Sequence, residues 1–203
     1  MSQFDYFVSF YSIVLGLSVV ELLTGVARTI EGPRIPLKST RLTLLLAVFV
    51  TLDISSYWLQ AWMLYRSAPL SMSVILHGLL AAGSYFLAAY LVFPKPGETR
   101  TPDAHFWARR RWVFGLILFT NVLNVGTIVL LGGGLGVMGS APYIIFVSTF
   151  YIACAVAVVT RRRRMVVAAL IWLVAFSLLA IGWEAANLAG AGRWTLPGAS
   201  GPN

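Results

Sequence analysis

IIFVSTFYIACAVAVVTRRRRMVVAALIWLVAFSLLAIGW, residues 144–183, decides the class of fold: two apolar runs meet at four consecutive arginines. Each run is close to the roughly 20 apolar residues that cross a bilayer as a helix. Arginines between two such runs belong at lipid headgroups, so the stretch reads as a transmembrane hairpin with a charged hinge.

The apolar pattern repeats along the rest of the chain. Six segments, approximately 5–27, 42–65, 71–93, 111–131, 143–160 and 165–187, each supply 18 to 24 mainly apolar residues. Hydrophobic residues make up 59% of the chain and charged ones only 11%, against roughly 25% charged in soluble proteins. Lipid is therefore the solvent for most of the molecule. The predicted fold is all-α, a polytopic transmembrane bundle of six spans over 1–187, with a flexible extracytoplasmic tail over 188–203. The longest gap, 94–110, is too short for a folded domain, which excludes a separate soluble catalytic unit. No Lys or Arg precedes the first apolar run, which is longer than the about 7–15 residues of a signal-peptide core, so it is expected to remain as helix 1.

Charge gives the expected orientation. Arg28, Arg34, Lys38 and Arg41 surround the first gap, Lys95, Arg100, Arg109, Arg110 and Arg111 the third, and Arg161, Arg162, Arg163 and Arg164 fill the fifth. The alternate gaps hold only Arg66, and the tail only Arg193. The positive-inside rule makes the basic side cytoplasmic and both termini extracytoplasmic. On this reading the net charge of +8 serves topology and lipid headgroups, not nucleic acid. Arg109–Arg111 and Arg161–Arg164 are the expected headgroup and topology residues, with Phe106, Trp107 and Trp112 at interfacial depth.

Polar residues inside the spans are the candidates for function, because a charge at the bilayer centre costs at least about 2.5 kcal/mol on insertion scales. Ser18, Glu21 and Gly25 share one stripe of span 1, and Asp53, Ser56 and Gln60 one stripe of span 2, each at i, i+3 and i+7. Span 3 offers Ser73, His77 and Ser84, and span 4 offers Asn121 and Asn124. At 1.5 Å per residue, Asp53 lies roughly 18 Å from the inner boundary and His77 roughly 9 Å from the outer one. Those depths nearly coincide in a hydrocarbon layer about 30 Å thick. Antiparallel spans 2 and 3 thus place the pair within reach, either as a proton relay or as a lock between helices. The expected polar centre draws on Glu21, Asp53, Ser56, Gln60, His77, Asn121 and Asn124.

Other motifs have structural readings. Gly132–Gly136 lacks the GK[ST] ending of a phosphate loop and reads as a turn. Gly32, Pro33 and Pro36 break the chain between spans. Cys154 is the only cysteine, so no intramolecular disulfide forms. Glu184 lies near the outer boundary beside Trp183, a weak candidate for a site. No zinc, haem or dinucleotide motif is present, so no metal or cofactor is expected. Serines, Asp53 and His77 supply protease-like residue types without a nucleophile motif, and no enzyme is expected. A three-plus-three inverted repeat finds no acidic match for Asp53 in span 5.

The opening FDYFVSFYSIVLGLSVVELLTGVAR, 4–28, and HFWARRRWVFGL, 105–116, resemble small multi-pass membrane proteins of bacteria, a family without an assigned activity. The resemblance implies a bacterial inner-membrane location and carries no catalytic residues. Two functions fit the residues. One is a scaffold, sensor or complex subunit whose polar groups specify packing. The other is a small proton-coupled transporter or ion-conducting component that uses Asp53 and His77. Membrane lipids are the expected partners, with a homo-oligomer or a membrane-protein partner also open.

Overall fold

Helices form where the apolar runs lie: α1 (Gln3–Glu31), α2 (Arg41–Arg66), α3 (Met72–Val92), α4 (Pro102–Leu131), α5 (Ala141–Val159) and α6 (Arg163–Gly190). This computed structural model describes residues 3–31, 39–66, 71–98, 101–131 and 141–190. Arg34, Lys38, Arg100, the Gly32, Pro33 and Pro36 breaks, the Gly132–Gly136 run and the tail from 191 with Arg193 lie outside the described residues. So do the side chains of Arg66 and Glu184.

The protein is a polytopic, membrane-spanning all-α bundle. Five described helices are long and apolar enough to cross a membrane, and α5, apolar over Ile144–Val159, is the short sixth. Large apolar side chains cover the outside: Ile13, Leu17, Val20 and Leu23 of α1 and Leu178 and Leu179 of α6 are all more than half exposed. Such a surface would drive aggregation in water and matches a hydrocarbon solvent.

α2 is the hub, packed against α1, α3, α4 and α6. α3 lies between α1 and α4, and α5 closes the bundle against α4 and α6. Small residues make the close approaches. Ala81, Ala82, Ala88 and Ala89 of α3 are buried, which lets backbones approach where lipid provides no hydrophobic drive between helices. Gly25 of α1 lies directly against the Phe93 ring at the end of α3, where a Cβ would overlap the ring.

Two helix starts follow from local chemistry. Ser71 caps α3 by accepting from the Val74 amide at 3.4 Å. α4 starts at Pro102, well before the expected 111. Proline suits the first helical position because its missing N–H has no partner there anyway, and Asp103 follows in the first turn, where the helix dipole favours an acid. Arg109, Arg110 and Arg111 therefore stand on a helix rather than in a loop. At the other end of the chain, α6 continues to Gly190, past the expected limit of 187.

Candidate functional site

Asp53, on the central helix, is 4% exposed. Its Oδ2 accepts from the Tyr85 hydroxyl at 2.8 Å and from Asn121 Nδ2 at 3.3 Å. Asn121 Nδ2 also lies 3.4 Å from the Tyr85 oxygen and donates to the Ile117 carbonyl at 3.0 Å. One carboxylate oxygen thus ties α2, α3 and α4 together. Tyr57, one turn along from Asp53, packs on the Tyr85 ring at 5.0 Å and on Tyr11 at 6.2 Å, which adds α1 to the cluster.

The α3 partner of Asp53 is Tyr85, not the expected His77. Helix side chains lean toward their own N-terminus. In antiparallel α2 and α3 the lean carries Asp53 toward the basic end and the long Tyr85 side chain away from it. The two meet there, although their Cα depths suggested His77. His77 is buried and lies against Thr127, with Oγ1 to Nδ1 at 3.1 Å. Thr127 Oγ1 also donates to the Leu123 carbonyl at 2.9 Å. With its single proton placed there, the hydroxyl receives the Nδ1–H of the imidazole.

Between these two sets Asn124, 2% exposed, donates to Gln60 Oε1 at 3.1 Å. Asn121, Asn124 and Thr127 therefore form three successive rungs on α4, each about 4.5 Å further from the basic end. The ladder ends at Thr127 and His77, and Gln60, the partner of its middle rung, is exposed. On the other side of Asp53 the contacts are dry. Leu46, Phe49, Val50, Phe114 and Ile117 are each no more than 1% exposed, and Phe49 stacks on Phe114 at 5.9 Å.

The remaining candidates lie elsewhere. Ser56 Oγ turns back to the Asp53 carbonyl of its own helix at 3.0 Å. Glu21 is not in the centre. Its carboxylate meets Lys95 Nζ at 2.7 Å and Arg28 at 3.6 Å near the basic end. Lys95, which follows α3, reaches back to the stripe that carries Glu21, and its ammonium also lies 3.1 Å from the Tyr90 ring centroid. An ion pair at the boundary removes the reason to place Glu21 deeper. Ser18 and Gly25 of the same stripe are buried, as a protein-facing stripe requires.

The first turns of α4 hold the ends of three other helices. Asp103 Oδ1 accepts from the Leu42 and Thr43 amides at 3.1 and 3.3 Å, capping α2 from another helix. His105 Nε2 donates to the Leu91 carbonyl in the last turn of α3 at 3.0 Å, and its Nδ1 faces Glu98 at 3.1 Å. Arg110 is 5% exposed and donates through Nη1 to the Ala157 carbonyl and through Nη2 to the Thr160 carbonyl at 2.6 Å. Ala157 lies in the last turn of α5 and Thr160 directly follows it, where no intrahelical donor remains. The headgroup reading of Arg110 is thereby corrected. Arg109 and Arg111, its neighbours on the helix, are exposed, as are Arg161–Arg164. Trp107 lies between Arg110 and Arg163, whose guanidinium carbons are 5.7 and 5.2 Å from its ring.

Sequence reasoning missed Tyr85, Thr127, Lys95 and Asp103. A tyrosine or threonine inside a span reads as apolar filler, and the signal that could have found Tyr85 is the direction in which side chains lean. Among the described residues no three His, Cys, Asp or Glu side chains gather as metal ligands would. No protein-family model, curated protein or solved structure matches the chain, so the bacterial resemblance rests at the level of a polytopic helical membrane protein.

Proposed function

We propose that the chain is a small proton-coupled transporter or ion-conducting component of a bacterial inner membrane, with Asp53 as its proton-holding group. The observation that carries this reading is the one-sided setting of Asp53. A ladder of polar side chains leads from it in one direction, and an apolar plug around Phe49 and Phe114 lies in the other. With the basic end cytoplasmic by the positive-inside rule, the ladder opens to the extracytoplasmic side.

The carboxyl couples charge to helix packing. Ionised, Asp53 accepts from Tyr85 and Asn121 together. Protonated on Oδ1, the carboxyl gains a donor, and the two bonds to Oδ2 lose the strength that a charged acceptor gives them. Binding a proton thus changes what holds α2 to α3 and α4, and His77 stands at the other end of the ladder as a second group able to carry one. The alternative is a scaffold, sensor or subunit in which the same bonds only fix helix register. It is favoured by the low exposure of Asp53 and the donors already on its carboxylate.

The test is proton flux into vesicles that enclose a pH-sensitive dye and carry the purified protein under an imposed membrane potential. Asp53→Asn keeps an oxygen for the Tyr85 hydroxyl but cannot exchange a proton. Loss of flux with an unchanged unfolding transition is expected. Equal flux from both proteins, each shown to be folded, would sink the reading and leave the scaffold function.

A further inference from the structure

The hairpin that decided the fold carries a feature the proton path does not use. Arg161–Arg164 are exposed and form no ion pair among the described residues. They also cluster at the start of α6, whose first turn contains no acidic residue. Positive side chains at the positive end of a helix dipole repel it as well as one another. An anion there would offset both.

Directly beside them runs an open groove of about 380 Å³ between α5 and α6. From α5 it is lined by Thr149, Ile152, Ala153 and Val156, and from α6 by Met165, Ala168, Ala169 and Trp172. Both sets run i, i+3, i+4, i+7, so each is one helix face, and the two faces meet over about 10 Å of axis. The alanines make a recessed floor. Val156 and Met165 flank the arginine end, and at the far end Trp172 Nε1 donates to Thr149 Oγ1 at 3.2 Å, bridging the two helices. The groove is an apolar trough that begins at a cluster of uncompensated positive charge.

We infer that the groove holds an acyl chain of an anionic phospholipid whose phosphate is bound by Arg161, Arg162 and Arg164. Arg163 is set apart by its contact with Trp107. Charge decides between this occupant and a second copy of the chain. Two copies related by an axis along the membrane normal bring their arginine clusters to the same depth and side, where they repel. A lipid brings the opposite charge, at a site where each arginine is worth roughly fivefold in affinity.

The experiment uses the full chain in phosphatidylcholine vesicles, with brominated acyl chains supplied on either phosphatidylglycerol or phosphatidylcholine at equal mole fraction. The difference in fluorescence between wild type and Trp172→Phe isolates the groove tryptophan. Stronger quenching by brominated phosphatidylglycerol is expected. The preference should fall by at least about fivefold, one arginine's contribution, when Arg161, Arg162 and Arg164 are all changed to Gln. Ala168→Leu, at an exposed position in the groove, should reduce quenching with the arginines intact. Equal quenching by the two lipids overturns the proposal, as does a preference that survives the triple change. Millimolar inorganic phosphate abolishing the preference, with Ala168→Leu silent, would show anion binding without a chain and also overturn it. Efficient self-cross-linking of Ile152→Cys in a Cys154→Ser background, independent of lipid composition, would assign the groove to a second copy instead.

Discussion

Replacing Arg110 by methionine should destabilise the bundle far more than the same change at Arg109 or Arg111. Arg110 is buried and donates to two carbonyls at the end of α5. Hydrogen bonds that involve a charged group contribute about 1.5–3 kcal/mol each, so the gross loss is about 3–6 kcal/mol. Methionine keeps an apolar stem of similar length, so little packing is lost, and Thr160 is only half-buried, so water can reach its freed carbonyl. The net cost should be about 2–4 kcal/mol. Arg109 and Arg111 are exposed, and changes there should stay within about 0.5 kcal/mol. Arg110→Lys should fall between, because an ammonium is a point charge that does not reproduce the planar fork facing both carbonyls. The assay is reversible unfolding of each purified variant in one detergent, followed by circular dichroism. Equal costs at 109, 110 and 111 would refute the reasoning and return all three arginines to the headgroups.

Three further outcomes test the remaining contacts. Gly25→Ala should cost about 1–3 kcal/mol by overpacking against Phe93, and Phe93→Ala should suppress most of that cost in a double-mutant cycle; additive effects would place the strain elsewhere. Asp103→Ala should cost about 1 kcal/mol and speed amide exchange at Leu42 and Thr43, whereas unaltered exchange there would deny the cap between helices. In a Cys154→Ser background, Gln60→Cys should react with a membrane-impermeant thiol reagent much faster than Asp53→Cys, and Asp53→Cys should react only from the side opposite the arginines; labelling from the arginine side would remove the apolar plug.

The number and approximate place of the helices were legible in the sequence because hydropathy over about 20 residues is a strong signal in lipid. The start of α4 was not. Residues 102–110 are polar and follow a proline-rich stretch, yet Pro102 and Asp103 suit a helix N-terminus, and the polar side chains that argued for a loop are those that hold neighbouring helix ends. In the site, the Asp53 stripe of α2 meets the pair of asparagines of α4, through Asp53 to Asn121 and Gln60 to Asn124. Their partners were not legible. Depth counted at Cα ignores the reach of a tyrosine, which is how Asp53 came to be matched with His77. Glu21 was misplaced for a related reason: Lys95 lies beyond the end of α3, and its long side chain reaches back to neutralise a carboxylate counted as deep.

The unequal bonding of the two ends of the bundle has a mechanical consequence. At the arginine end, α4 is fastened to α2, α3 and α5 by Asp103, His105 and Arg110, with a carboxylate, an imidazole and a guanidinium. At the other end it is joined by neutral pairs, Asn124 to Gln60 and Thr127 to His77. Charge-assisted bonds, here those of Asp103 and Arg110, are roughly twice as strong as neutral ones. A helix fixed in this way swings as a lever about its fastened end, so its largest displacement falls at the far rim. The clamp at the arginines would then be the fulcrum, and any yielding near Asp53 would part the helices more widely at Thr127.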